Sequence, residues 1–314
     1  MNNVAILVVV LAFFLSGIPP VHAATTNSPS LSAIQIFPKD NIWNTRADML
    51  PVDANSEVYI RNFASDTAPF NGLRYYINNA IPYNVVNSTQ PHQFLTSFNH
   101  NGAYSDDIAY PIPDNPLFEQ GSNDHHMEII DTDEMVLYEL FAAEKNDDGS
   151  WRASLGAVWD LKGYLFRKDN VTPMWSADES GLPILPGLIR YDEVSTGYIN
   201  HSLRMGVPVL QNTWVWPARA SAPIPSPYDP LHPPAGQRFR LKASYNLSGY
   251  PPQAKVILQA LKTYGAMANT LNGIGKPLTI IGSPDTRWND SDLNTLWRVN
   301  ISDFEAVDLS LIHI

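Results

Sequence analysis

The chain has 314 residues, 44% of them hydrophobic and 16% charged, with a net charge of −11 and no cysteine. Acids and bases are interspersed, so the basic face that phosphate neutralisation requires is missing and a general nucleic-acid binder is excluded. Without cysteine, disulfides, thiolate metal centres, iron–sulfur clusters and cysteine nucleophiles are excluded together.

At the N-terminus, the apolar run from Val4 to Ile18, followed by Pro19-Pro20 and the small-residue end Val21-His22-Ala23, predicts a cleavable export signal over residues 1–23. The run is short for a membrane span, which needs about 20 apolar residues, so a secreted protein with no span after cleavage is expected. The basic residues that usually precede such a run are missing, which keeps an uncleaved anchor as the alternative. Residues 24–35 read as a Thr/Ser/Asn/Pro linker, and residues 36–314 as one globular domain, expected to be a monomer.

Within that domain, short periodic stretches punctuated by Pro, Gly, Asn and Asp predict a mainly β fold, sandwich-like or jelly-roll-like, with one or two C-terminal α-helices packed on it. Helical turns are expected at Ser56 to Phe63 and Asp192 to Tyr198. A clear helical repeat starts at Pro252, with Ala254, Ile257, Leu258 and Leu261 on one face, and the pattern extends to Leu271. Asp292 to Val299, with Leu293, Leu296 and Trp297 as its stripe, predicts a second. Ser221 to Pro234, crowded with proline, reads as an extended loop.

The stretch from His125 to Leu161 reads as a three-stranded meander with turns at Asp131 to Glu134 and Lys145 to Ser150. Period-two alternation puts Met127, Ile129, Tyr138, Leu140, Leu155, Ala157 and Trp159 on a core face. The opposite face would carry His126, Glu128, Glu139, Gly156 and Asp160, with His126 opposite Glu139 and small residues leaving space for a saccharide groove. Glu139 with Asp160 or Glu128 would then form the carboxylate pair of a glycosidase. The same face reads equally well as an ordinary solvated sheet surface.

Ser176 to Arg204 is dense in functional side chains. Asp192 and His201 offer an acid and a base, while Arg190 and Arg204 offer anion contacts; an internal ion pair and a hydrogen-bonded core histidine are the plainer alternatives. Trp214 and Trp216 share a strand face and could stack sugars or fill core. Arg240, alternating with Arg238 and Lys242, could grip an acidic glycan or line a solvated face. His125-His126 beside Asp124 and Glu128 suits zinc or manganese, but adjacent strand residues point to opposite faces and no H-E-x-x-H spacing occurs. Neither metal nor cofactor is expected.

Several segments carry a resemblance: DNIWN (40–44), LPV (50–52), LYELF (137–141), SADESGLPILPGLIRYDEV (176–194), HSLR (201–204), GQRFRLKA (236–243) and DFEAVD (303–308). In these the chain resembles a family of secreted bacterial proteins of unknown function. The resemblance covers most of the mature chain and implies one domain from about residue 36 to 309, but no reaction. In the family's pattern the position of Glu128 is apolar, whereas those of His126 and Glu139 belong to it, which shifts weight to Glu139 with His126. The expectation is a secreted glycan-active enzyme, a glycoside hydrolase or polysaccharide lyase acting on a polysaccharide or cell-surface glycan. The alternative is a non-catalytic glycan-binding or cell-surface protein.

Overall fold

A computed structural model describes residues 27–77, 81–99, 102–120, 124–164, 174–221 and 229–310. The expected export signal lies outside them, as does residue range 222–228 of the proline-rich loop. No helix among the described residues is long and apolar enough to cross a membrane.

The fold is β-rich, as its punctuation predicts, and both larger sheets are mixed. The six-stranded sheet runs β1 (Leu73–Tyr76), β11 (Leu278–Ile281), β8 (Leu203–Val207), β10 (Ala266–Leu271), β9 (Arg238–Leu241), β12 (Phe304–Ala306). In it β1 pairs parallel with β11 and β8 parallel with β10. The four-stranded sheet runs β2 (Tyr83–Val86), β3 (Met127–Asp131), β4 (Val136–Phe141), β7 (Leu155–Asp160), with β2 parallel to β3. A short ribbon of β5 (Glu144–Lys145) and β6 (Trp151–Arg152) extends the β4–β7 hairpin.

Helices α1 (Ser56–Asp66), α2 (Tyr191–Thr196), α3 (Pro252–Thr263) and α4 (Asp290–Asn294) fall where the periodicity puts them. However, α3 stops at Thr263, not Leu271. Gly265 takes a left-handed φ of 69°, and Ala266 onward becomes the buried strand β10. The expected linker is also corrected for its described part. Leu31 is 1% exposed, with its N–H on Asp192 Oδ2 at 2.6 Å, and Ser28 N donates to Pro284 O.

Two buried clusters form the core. The larger joins Leu203, Met205 and Val207 of β8 to Ile130, Leu137, Ala157 and Trp159 of the four-stranded sheet. The smaller gathers Met127, Ile129, Tyr138, Leu140 and Trp151 on that sheet's other face. Both faces of the meander are therefore covered, and the solvated or groove-lining face expected for Glu139 does not exist.

The turns explain the rest of the difference. Asp131 Oδ1 accepts the N–H groups of Asp133 and Glu134, so the β3–β4 loop closes with Asp131 opposite Val136. Glu128, not His126, consequently faces Glu139. At the second turn Asn146 N donates to Ser150 O, leaving three residues that end on Gly149 at φ 88°. That odd loop slides the third strand by one residue. Glu139 meets Ala157, and Ala157 and Trp159 move to the glutamate face. Gly156 lies on the other face, where the Tyr110 hydroxyl occupies the space a Cβ would need.

Candidate functional site

Between the two sheets lies a buried polar cluster. Glu128 and Glu139, directly opposed on β3 and β4, are both 0% exposed. Glu139 is an acceptor held from two sides. Trp159 Nε1 donates to its Oε2 at 2.8 Å, and Ile184 N, at the start of a 3₁₀ turn, donates to its Oε1 at 2.6 Å. Neither oxygen of Glu128 has a hydrogen-bond partner among the described residues, although its backbone lies directly opposite that of Glu139. Two like charges enclosed on facing strands repel, and that repulsion favours a proton on one of them. Burial, then the neighbouring Glu139 charge, holds Glu128 well above the usual carboxylate range. Burial raises Glu139 as well, and the hydrogen bonds from Ile184 and Trp159 offset part of that rise. With its two N–H donors Glu139 is the better placed of the two to carry negative charge, and Glu128, with none, the better placed to hold a proton.

From the facing sheet, Arg204 on β8 brings its positive charge to this pair. Its guanidinium is 3% exposed and ion-paired with Asp178 Oδ2 at 2.7 Å. Asp178 is fixed in turn by Ser180 N and Asn269 Nδ2, both at 2.7 Å. Gly187 lets the 3₁₀ turn pack on Arg204, since a Cβ there would strike the arginine Cγ. Arg204 Nε and Nη1 have no hydrogen-bond partner among the described residues. His126 precedes β3 by one residue. Burial, then Arg204, pushes its imidazole down to about 3, so it is neutral, and its enclosed Nδ1 is also without a hydrogen-bond partner among the described residues.

Of the residues singled out by sequence, the fold brings together Glu139, His126 and Arg204, with Glu128. The others are placed elsewhere. Asp160, at the end of β7 opposite Val136, is exposed and accepts Lys162 N. Asp192 accepts the N–H of Leu31 and the Ser30 hydroxyl. His201 has both ring nitrogens engaged, Nε2 with Glu193 Oε2 at 3.1 Å and Nδ1 with Ser202 O at 2.9 Å. Arg190 pairs with Glu193. Arg240 is tied to Glu305, Ala47 O and Leu50 O, and is not on a solvated face. Trp214 and Trp216 are half-buried and pack against the main core.

Of the supporting residues, sequence reading singled out Asp178 within the dense 176–204 segment, put Trp159 on the core face, and missed Asn269. Asn269 carries a signal, a polar side chain inside the apolar run Ala266 to Leu271. Asp178 carries another, with serines two residues to either side, the mark of an Asx turn. No protein-family model, curated protein or solved structure matches this chain.

Proposed function

We propose that this protein is a secreted glycan-active enzyme working by hydrolysis, built on two sheets that act as a sandwich, with Glu128 and Glu139 as its acid–base pair. The observation that supports this reading is the buried carboxyl pair, one member held by two N–H donors and the other by none. One carboxyl already holds a proton for a leaving glycosidic oxygen, and its partner is kept anionic to take a proton from water or to attack the sugar. The lyase arm has less support: Arg204 already serves Asp178, and His201 is locked on both ring nitrogens.

The test is incubation of the purified protein with neutral, amino and acidic polysaccharides. New reducing ends without the ultraviolet absorbance of an unsaturated uronate are expected, falling at least ~100-fold in Glu139→Gln assayed where that variant is folded. Absorbance growing with the reducing ends would transfer the protein to the lyases. The complete enclosure of both carboxyls favours a second reading, a non-catalytic glycan-binding protein with a polar core, and binding without any product would establish it.

A further inference from the structure

Strand β1 stands at the edge of the six-stranded sheet, and the chain that follows α4 runs beside it. Leu73 N donates to Val299 O at 3.0 Å, and Gly72 bridges Asn300. These ties seat the 3₁₀ turn Thr295–Arg298 against the strand. There the Arg74 guanidinium lies 4.9 Å from the centre of the Trp297 ring, with Nη1 donating to Leu73 O at 2.9 Å. Tyr76, two residues along on the same strand face, is 58% exposed, and Trp297 is 39% exposed. Arg298, the next residue of the turn, lies 5.6 Å over the Tyr250 ring and donates to Gly249 O.

These two arginines differ from others near the surface. Arg46, Arg152 and Arg287 pair with Asp48, Glu144 and Asp285 in turn. Neither Arg74 nor Arg298 has an acid ion pair among the described residues, and each lies over an aromatic ring instead. Burial lowers the pKa of Arg74 from its usual value, because no carboxylate offsets the water it has lost. In a chain where Asp and Glu outnumber Lys and Arg by 31 to 20, two such arginines mark a place kept clear of carboxylates. The patch offers positive charge and N–H donors beside exposed aromatic faces.

We infer that Arg74, Trp297 and Tyr76, with Arg298 beside them, bind a uronate residue of an acidic glycan at a surface site distinct from the buried carboxyl pair. The inference rests on the glycan-active reading and adds a binding site to it. The flat C–H face of a sugar packs on an exposed aromatic ring, and a carboxylate takes two parallel N–H bonds from a guanidinium already held in place. A neutral sugar would leave the arginines without an anion, and an amino sugar would bring them a like charge. Nucleic acid also stacks on rings beside arginine, but it needs phosphate contacts along a basic groove, which a chain of net charge −11 does not supply. That net charge repels polyanions at a distance, yet at about 0.15 M salt it is screened beyond about 8 Å, so the two arginines decide at contact.

The test is calorimetric titration of the full chain with oligogalacturonate, against neutral galactose oligomers, glucosamine oligomers and a single-stranded oligonucleotide. Oligogalacturonate is expected to bind at least ~10-fold tighter than the neutral and amino oligomers, and more weakly at high salt. Arg74→Gln and Trp297→Ala should each remove about that factor and move the melting temperature little, because both side chains reach solvent. If either variant does not fold, Arg298→Gln and the wild-type ranking decide. No uronate binding, equal binding of the neutral oligomers, equal or tighter binding of the oligonucleotide, or uronate binding that survives the substitutions overturns the inference. Uronate binding lost in the variants, with no glycan cleaved, leaves the surface site standing and removes the hydrolytic reading. Cleavage without uronate preference does the reverse, and neither result refutes both.

Discussion

Glu128→Gln tests the retained proton directly, because the amide keeps the shape of a protonated carboxyl and cannot titrate. Folding raises the proton affinity of Glu128. Above the ordinary glutamate value of 4.5 the unfolded chain has released this proton while the folded chain keeps it, so wild-type stability falls as pH rises, until the folded carboxyl titrates as well. One retained proton costs about 1.4 kcal/mol per pH unit. From pH 5 to 7 that bounds the loss near 3 kcal/mol, and the nearby Arg204 trims it, giving about 1–3 kcal/mol. Urea unfolding across pH 5 to 8 should show wild type and variant within about 0.5 kcal/mol at the acid end, and the variant ahead by about 1–3 kcal/mol at pH 7. Parallel curves, or a variant less stable at pH 7, would refute the proton assignment and leave both carboxyls ionised.

Leu140→Ala should cost about 2–5 kcal/mol in denaturant unfolding, since Leu140 is wholly buried in the smaller cluster and its removal leaves a cavity. Glu139→Gln should cost about 1–3 kcal/mol, because the amide cannot satisfy Trp159 Nε1 and Ile184 N on both sides; an unchanged melting temperature would place Glu139 outside that network. Arg240→Met strands Glu305 and two backbone carbonyls, with a loss of about 3–5 kcal/mol expected in the same assay. Calorimetric melting should be indifferent to EDTA and to reductant; a lower melting temperature in EDTA would assign Glu119, Asp124 and His126, whose ligand-type atoms lie within 4.8 Å of one another, to a metal ion.

The sequence by itself determined what is local. Pro252 and the stripe Ala254, Ile257, Leu258 and Leu261 are enough for α3, because a helix closes its hydrogen bonds within a few residues. Alternation is likewise enough to put Glu128 and Glu139 on one face of β3 and β4. Only the tertiary structure decided which residues meet and which face is wet. One residue more or less in a turn, here the odd loop ending at Gly149, moves Trp159 from the opposite face onto Glu139. Whether a strand face is solvated depends on what packs over it, and that cover comes from Ile184 and Arg204, far along the chain. Local periodicity carries no information about such partners. The same residues that read as an exposed acidic groove are therefore, in the folded protein, a buried pair of opposed carboxyls whose proton affinity burial raises.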